Sequence, residues 1–161
     1  MFHVGTPAID RVNWYSDNYT YVDKNVPSNG SGKLTSIEIY ANEEMSGVKV
    51  AVFYVVSGNF LTARDSVIIG IVPVGHNQFD VDLDVNSGDH IGIFWSGGKL
   101  ERDNTGASGT WYRSGDQTSC VNLVFSHVAD RAISLYGTGE LPPPPPSDSA
   151  RTGIYSFKTL K

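Results

Sequence analysis

Apolar residues recur at every second position in several short stretches of this chain, and that alternation restricts the fold more than any other feature. In 79–85 (FDVDLDV), Phe79, Val81, Leu83 and Val85 fall on one side and Asp80, Asp82 and Asp84 on the other. A strand turns successive side chains to opposite faces, so such a run offers one face to a core and one to water. In 48–56 (VKVAVFYVV), Val48, Val50, Val52, Tyr54 and Val56 share a face. The stretches 34–41, 66–72, 90–94, 120–126 and 132–137 read as strands on the same grounds. Between them lie NVPSNGSGK, ANEEMSG, VPVGHN, NSGD, WSGGK and DNTGASG, rich in the residues that let a backbone reverse. No stretch carries helical spacing with caps, and NEEMSG is too short to stand as a helix.

Roughly seven to nine short strands at turn spacing of about 8–12 residues predict an all-β fold. The expected architecture is an antiparallel two-sheet jelly-roll sandwich over residues 1–140, followed by a Pro-rich linker (141–150) and a strand-like C-terminal tail (151–161). No repeat of fixed period is visible, which weighs against a propeller or solenoid.

The segment VNSGDHIGIFWSGG (85–98) resembles the GD-x-IG turn of jelly-roll, galactose-binding-like and carbohydrate-binding modules. The wider stretch from GKLTSIEIYA through VKVAVFY and GTWYRSGD to AISLYGTG, about residues 32–139, resembles uncharacterised jelly-roll domains of phage and environmental surface proteins. What the resemblance implies is a sandwich architecture; fold alone does not set function.

The C-terminus poses a separate question. Prolines 142–146 favour a polyproline II rod of about 15 Å. Beyond it, GIYSFKTLK places Tyr155 and Phe157 on one face, with Ile154 and Leu160 near the other. A lone strand is not stable in water and needs a partner edge. Carried on a stiff spacer, Ile154, Tyr155, Phe157 and Leu160 are the expected contacts of a tail that adds itself to a neighbouring subunit's sheet. Repeated head to tail, such contacts give rings or filaments. The alternatives are a tail that folds back onto its own sheet through SDSA, and a solubilising tail without a partner.

Charge narrows the partners. A net charge of −5 and a pI near 5.2 leave no basic stripe for nucleic acid and no attraction to an anionic membrane. No apolar run approaches a membrane span, so no membrane insertion is expected. The start MFHVGTPAIDRVNWY lacks the pattern of a secretory signal, which a virion protein released by lysis would not need. The expected location is extracellular, on a virion or a cell-surface appendage. Cys120, the one cysteine, sits in a strand-like run and reads as a small buried hydrophobe.

Chemical signatures are sparse. GASGT (106–110) misses the nucleophile-elbow spacing, and no H-E-x-x-H or C-x-x-C occurs. His3, His76, His90 and His127 stand singly, so no metal site and no cofactor are expected. Asp80, Asp82 and Asp84 at alternate positions resemble the carboxylate ladder of jelly-roll glycosidases, but aspartate at all three places puts the acid role in doubt. A solvated outer face is the plainer reading, with a weak calcium site next.

The candidate ligand rim is the loop region 95–116, where Trp95, Trp111 and Tyr112 gather with Glu101, Arg102, Asp103, Asn104 and Asp116 among glycines. Aromatic faces and planar polar groups suit sugars, and equally suit protein interfaces. Trp111 and Tyr112 could instead fill the core from a short strand. The expected function is therefore that of a non-enzymatic assembly subunit of a virion or extracellular filament, partnered by copies of itself. The alternative is a carbohydrate-binding module or adhesin with a glycan partner, and a glycosidase comes third.

Overall fold

The computed structural model describes residues 1–143. Within them the chain is all-β, with every strand pairing antiparallel and no helix. Its strands are β1 (Phe2–Thr6), β2 (Asn13–Tyr15), β3 (Tyr19–Asp23), β4 (Gly32–Ser57), β5 (Phe60–Val72), β6 (Gly75–Val85), β7 (His90–Phe94), β8 (Gly97–Asp103), β9 (Thr110–Ser114), β10 (Leu123–Val124), β11 (Ser126–Val128), β12 (Ala132–Ile133) and β13 (Leu135–Glu140). Prolines 144–146, the rest of the linker, and the tail residues Ile154, Tyr155, Phe157 and Leu160 lie outside the described residues.

One element organises the rest. The stretches 34–41 and 48–56, expected as two strands around a turn at ANEEMSG, are a single 26-residue strand, β4. The segment bends without reversing. Its ladder to β5 shifts register between Met45 and Val48, and Gly47 takes a φ of +61° there. Such a bulge bends and twists a strand while leaving it paired on either side. A Cβ at Gly47 would lie 2.3 Å from Ser96 Oγ, so the bend is also too tight for a side chain.

The same corner recurs on the neighbouring element. β5 pairs with the second half of β4 and β6 with the first, both antiparallel. VPVGHN is therefore another corner, not a hairpin. Pro73 has no N–H to give a ladder, so pairing lapses where the sheet turns. β4 against β5 and β6 forms one long folded hairpin. Around its first half gather β6, β13 and β1 with β8, β2 and β12; around its second half gather β5, β10, β7, β3, β9 and β11.

Folding the hairpin brings the two groups face to face, and the alternating apolar residues meet between them. Leu34, Ile37 and Ile39 from the first half of β4 share a cluster with Val48, Val50 and Val52 from the second, together with Leu83, Val85, Ile91, Ile93 and Leu135. This gives the chain its β-sandwich character. On β6, Phe79 and Val81 pack against this cluster while Asp80, Asp82 and Asp84 are exposed.

A second cluster lies on the opposite face of β4. Ala51 and Phe53 are fully buried there with Val22, Leu61, Trp111 and Phe125. The 115–125 stretch covers them, pinned by Ala63 N–H to Cys120 O (3.0 Å) and Phe125 N–H to Asn59 O (2.8 Å). Alternation alone assigns these positions of VKVAVFYVV to solvent; the covering loop removes them from it. Cys120 is half-buried beside this cluster, and burial pushes its thiol up, as suits a packing residue.

Candidate functional site

The concave surface with the most concentrated chemistry lies where the two strand groups part, on the side away from β5 and β6. Alternation on β3 (YTYVD) sends Tyr19 and Tyr21 to one face and Thr20 and Val22 to the other. Tyr112 on β9 is the cross-strand partner of Tyr21, and Trp111, one residue back, points to the opposite side as the partner of Val22. From the other strand group, β2 brings Tyr15 and β8 brings Arg102. Val128 of β11 and Arg131 complete the wall of a cleft of about 250 Å³.

The tyrosines form a continuous aromatic surface. Tyr15 stacks on Tyr21 with ring centroids 3.9 Å apart and planes at 13°. Tyr19 lies 5.9 Å from Tyr21 and 6.4 Å from Tyr112. Tyr21 in turn rests on Trp95, at 5.5 Å. Burial, reinforced by the neighbouring Tyr15 and Tyr19 phenols, pushes the Tyr21 hydroxyl up, so it remains a neutral phenol.

The arginines have few internal obligations. The Arg102 guanidinium lies over the Tyr15 ring, 5.0 Å from its centroid. Its Nη1 donates to Asn104 Oδ1, while its buried Nε has no hydrogen-bond partner among the described residues. Arg131 Nη1 donates to the carbonyl of Asp130 at 3.0 Å, and Asp130 itself holds a φ of +57°, a left-handed turn that aspartate tolerates. The loop behind it is fixed by Asn25, whose Nδ2 donates to Arg131 O (2.8 Å) and whose Oδ1 accepts from the N–H groups of Ser108 (3.1 Å) and Gly109 (3.0 Å).

A second groove of about 340 Å³ adjoins the cleft and shares Tyr19 and Tyr112 with it; Arg113, Ser114 and Ser126 line the remainder. Ligand sites of about 300–1,000 Å³ are typical for small molecules, and the joined cavities fall in that range.

The expected ligand rim is thus redistributed. Trp95 is 0% exposed and donates its Nε1–H to Gly98 O at 2.9 Å. Trp111 is 2% exposed and donates to Asn59 Oδ1 at 2.9 Å. Neither can offer a face to a ligand, which corrects the reading of both as rim residues. Each indole buries its rings and satisfies its one donor internally, the ordinary solution for a core tryptophan. Asp103 is occupied by Arg11, 2.7 Å away; against the effect of burial, the Thr105 hydroxyl and then Arg11 draw its carboxyl below the ordinary range. Asn104 is exposed and holds Arg102. Only Tyr112 of the three aromatics faces the cleft. Arg102, expected among the polar groups of the rim, does line the cleft. Sequence reasoning passed over Tyr15, Tyr19, Tyr21 and Arg131; the one signal for the tyrosines was the alternation Y-T-Y following Tyr15 in NWYSDNYTYVD.

The Asp80, Asp82 and Asp84 ladder stands apart, on the exposed face of β6. Lys33 Nζ lies 2.7 Å from Asp84 Oδ1 and 3.4 Å from Asp82 Oδ1. Among the described residues no group of three His, Cys, Asp or Glu side chains is placed to hold a metal ion.

No protein-family model matches the chain, and the curated proteins hold no match to it.

Proposed function

We propose that this chain is a non-enzymatic carbohydrate-binding module with jelly-roll connectivity, acting outside the cell and taking its glycan in the tyrosine–arginine cleft. The observation that carries this reading is the convergence of Tyr15, Tyr19, Tyr21 and Tyr112 with Arg102 and Arg131 on one concavity. Tyrosine rings offer an apolar face for the C–H side of a pyranose and a hydroxyl for its rim, at small entropic cost. Guanidinium groups add planar donors for ring substituents. Tyr19 is exposed and Tyr112 packs only against the edge of the main cluster, so the sandwich is expected to survive replacement of both by alanine. That double variant is expected to elute like the parent on gel filtration and to lose retention on the polysaccharide columns that hold the parent. Unchanged retention would place the glycan elsewhere.

A second reading, assembly through strand addition, is favoured by a different observation. The outer side of β6 pairs with no strand among the described residues, and the exposed Ile68, Ile71 and Val74 follow the same margin of the hairpin. Unpaired edges accept strands from other chains. In this reading the segment carrying Ile154, Tyr155, Phe157 and Leu160 is the donor, and the module is a unit of a virion or filament. Electron microscopy is expected to show filaments or rings for the full chain, and single particles both for a chain ending at Glu140 and for Tyr155→Asp with Phe157→Asp. Single particles for the full chain as well would end this reading.

A further inference from the structure

We infer that the glycan taken by the cleft is acidic: an oligosaccharide bearing carboxylate or sulfate groups, long enough to place one anionic group at Arg102 and Arg131 and another at Arg113. The inference rests on the carbohydrate-binding reading above and adds the chemical class of the ligand.

The distribution of arginine carries it. The described residues contain five, and two of them are in ion pairs: Arg11 with Asp103 at 2.7 Å and Arg64 with Asp89 at 2.5 Å. Arg102, Arg113 and Arg131 have no carboxylate partner among the described residues, and these three line the joined cavities. In a chain with 17 acidic and 12 basic residues, carboxylates are in excess, so leaving three guanidiniums unpaired in one place is not forced by composition. It leaves a positive groove on an acidic protein.

The local chemistry agrees. Of the five N–H donors of Arg102, a single Nη1–H is engaged among the described residues, by Asn104, and the guanidinium lines the cleft, so Nη2 remains available to an oxyanion. Its stack on Tyr15 and its bond to Asn104 hold the guanidinium plane in one orientation, which suits two-point recognition of a carboxylate or sulfate. Arg113 is held in a similar way, Nη1 donating to Val124 O at 2.8 Å. Tyr19 and Tyr112 lie between the two cationic positions as the shared wall of both cavities, a platform for the sugar ring that joins two charged groups.

Titration calorimetry of the full chain at low salt separates the possibilities. The ligands are a uronic-acid oligosaccharide, a sulfated oligosaccharide, a neutral oligosaccharide of equal length, and a single-stranded oligonucleotide. Binding of one or both acidic sugars is expected, weakening as salt rises, and their relative affinity tells carboxylate from sulfate. Arg102→Gln and Arg113→Gln are each expected to weaken it about tenfold, with Arg102→Lys restoring only part of the loss because an ammonium lacks the planar fork. Equal affinity for the neutral sugar, insensitive to both substitutions, would overturn the acidic specificity and leave the carbohydrate-binding reading standing. Binding of the oligonucleotide alone would overturn both, as would binding of none of the four.

Discussion

Trp95→Ala is expected to lower the unfolding free energy by about 3–5 kcal/mol, the range for removing a large aromatic from a packed core. The indole is fully buried in the main cluster, below Tyr21, and its Nε1–H is satisfied by the carbonyl of Gly98. Alanine leaves a cavity and frees that carbonyl. The surroundings cannot close around it. Gly98 sits at a φ of +90°, where an added Cβ would come within 2.0 Å of the Glu44 carbonyl, so the backbone on that side is already in close contact with β4. Urea denaturation should show the midpoint moving far down with little change in slope. The consequence reaches the cleft, because Tyr21 rests on Trp95 and Tyr15 rests on Tyr21. Had Trp95 been a surface platform, the substitution would cost within about 0.5 kcal/mol of nothing, so the measurement separates the two placements decisively.

Glu101→Ala is expected to be the second most damaging change, at about 3 kcal/mol, the scale for deleting a buried charged acceptor with two partners. Glu101 is 1% exposed; its Oε1 accepts the Arg11 N–H at 2.6 Å and its Oε2 accepts Asn42 Nδ2–H at 2.7 Å. It thereby ties β8 to the segment before β2 and to β4. Arg102, the next residue on β8, faces the cleft, so Glu101 positions it through the strand without touching a ligand. Burial, with Asp10 close by, raises the Glu101 carboxyl above its ordinary value of 4.5 despite those two bonds. The native state then holds this proton more tightly than the unfolded chain does. The stability it contributes is present below about pH 4.5 and is lost as pH rises through the raised value. Glu101→Gln keeps the shape and one acceptor, so it should cost less than alanine and remove that decline. Unfolding curves at about pH 4.5, 6 and 7.5 for the three proteins test both points. A parent stability that rises steadily over that interval, with Glu101→Gln following in parallel, would refute the account of Glu101.

These two residues also mark where reading the sequence succeeds and where it stops. Phe79, Val81 and Leu83 face the core and Asp80, Asp82 and Asp84 face water as their alternation requires, because a strand has only two faces. The same rule sorts Val48, Val50 and Val52 correctly but sends Ala51 and Phe53 to solvent, since it cannot register a loop from residues 115–125 that closes over the second face. Gly47 and Pro73 were legible as punctuation. Whether punctuation reverses a chain or only bends it depends on the partner strand, and here β4 is paired with β6 on one side of the corner and with β5 on the other. The candidate site was less legible still. Trp95 and Trp111 are prominent in sequence, yet each has a carbonyl or amide waiting inside for its single N–H.

What the sequence by itself determined is the antiparallel all-β character of this protein, because period-2 patterning and turn residues act over a few neighbouring positions and need no knowledge of the rest. The cleft was decided only by the tertiary structure. Tyr15, Tyr19, Tyr21, Arg102, Tyr112 and Arg131 are spread over more than a hundred positions of the chain and meet because folding β4 and its partner strand brings two groups of strands into contact. Which side chains share a concave surface is a property of that closure, and no local pattern along the chain encodes it.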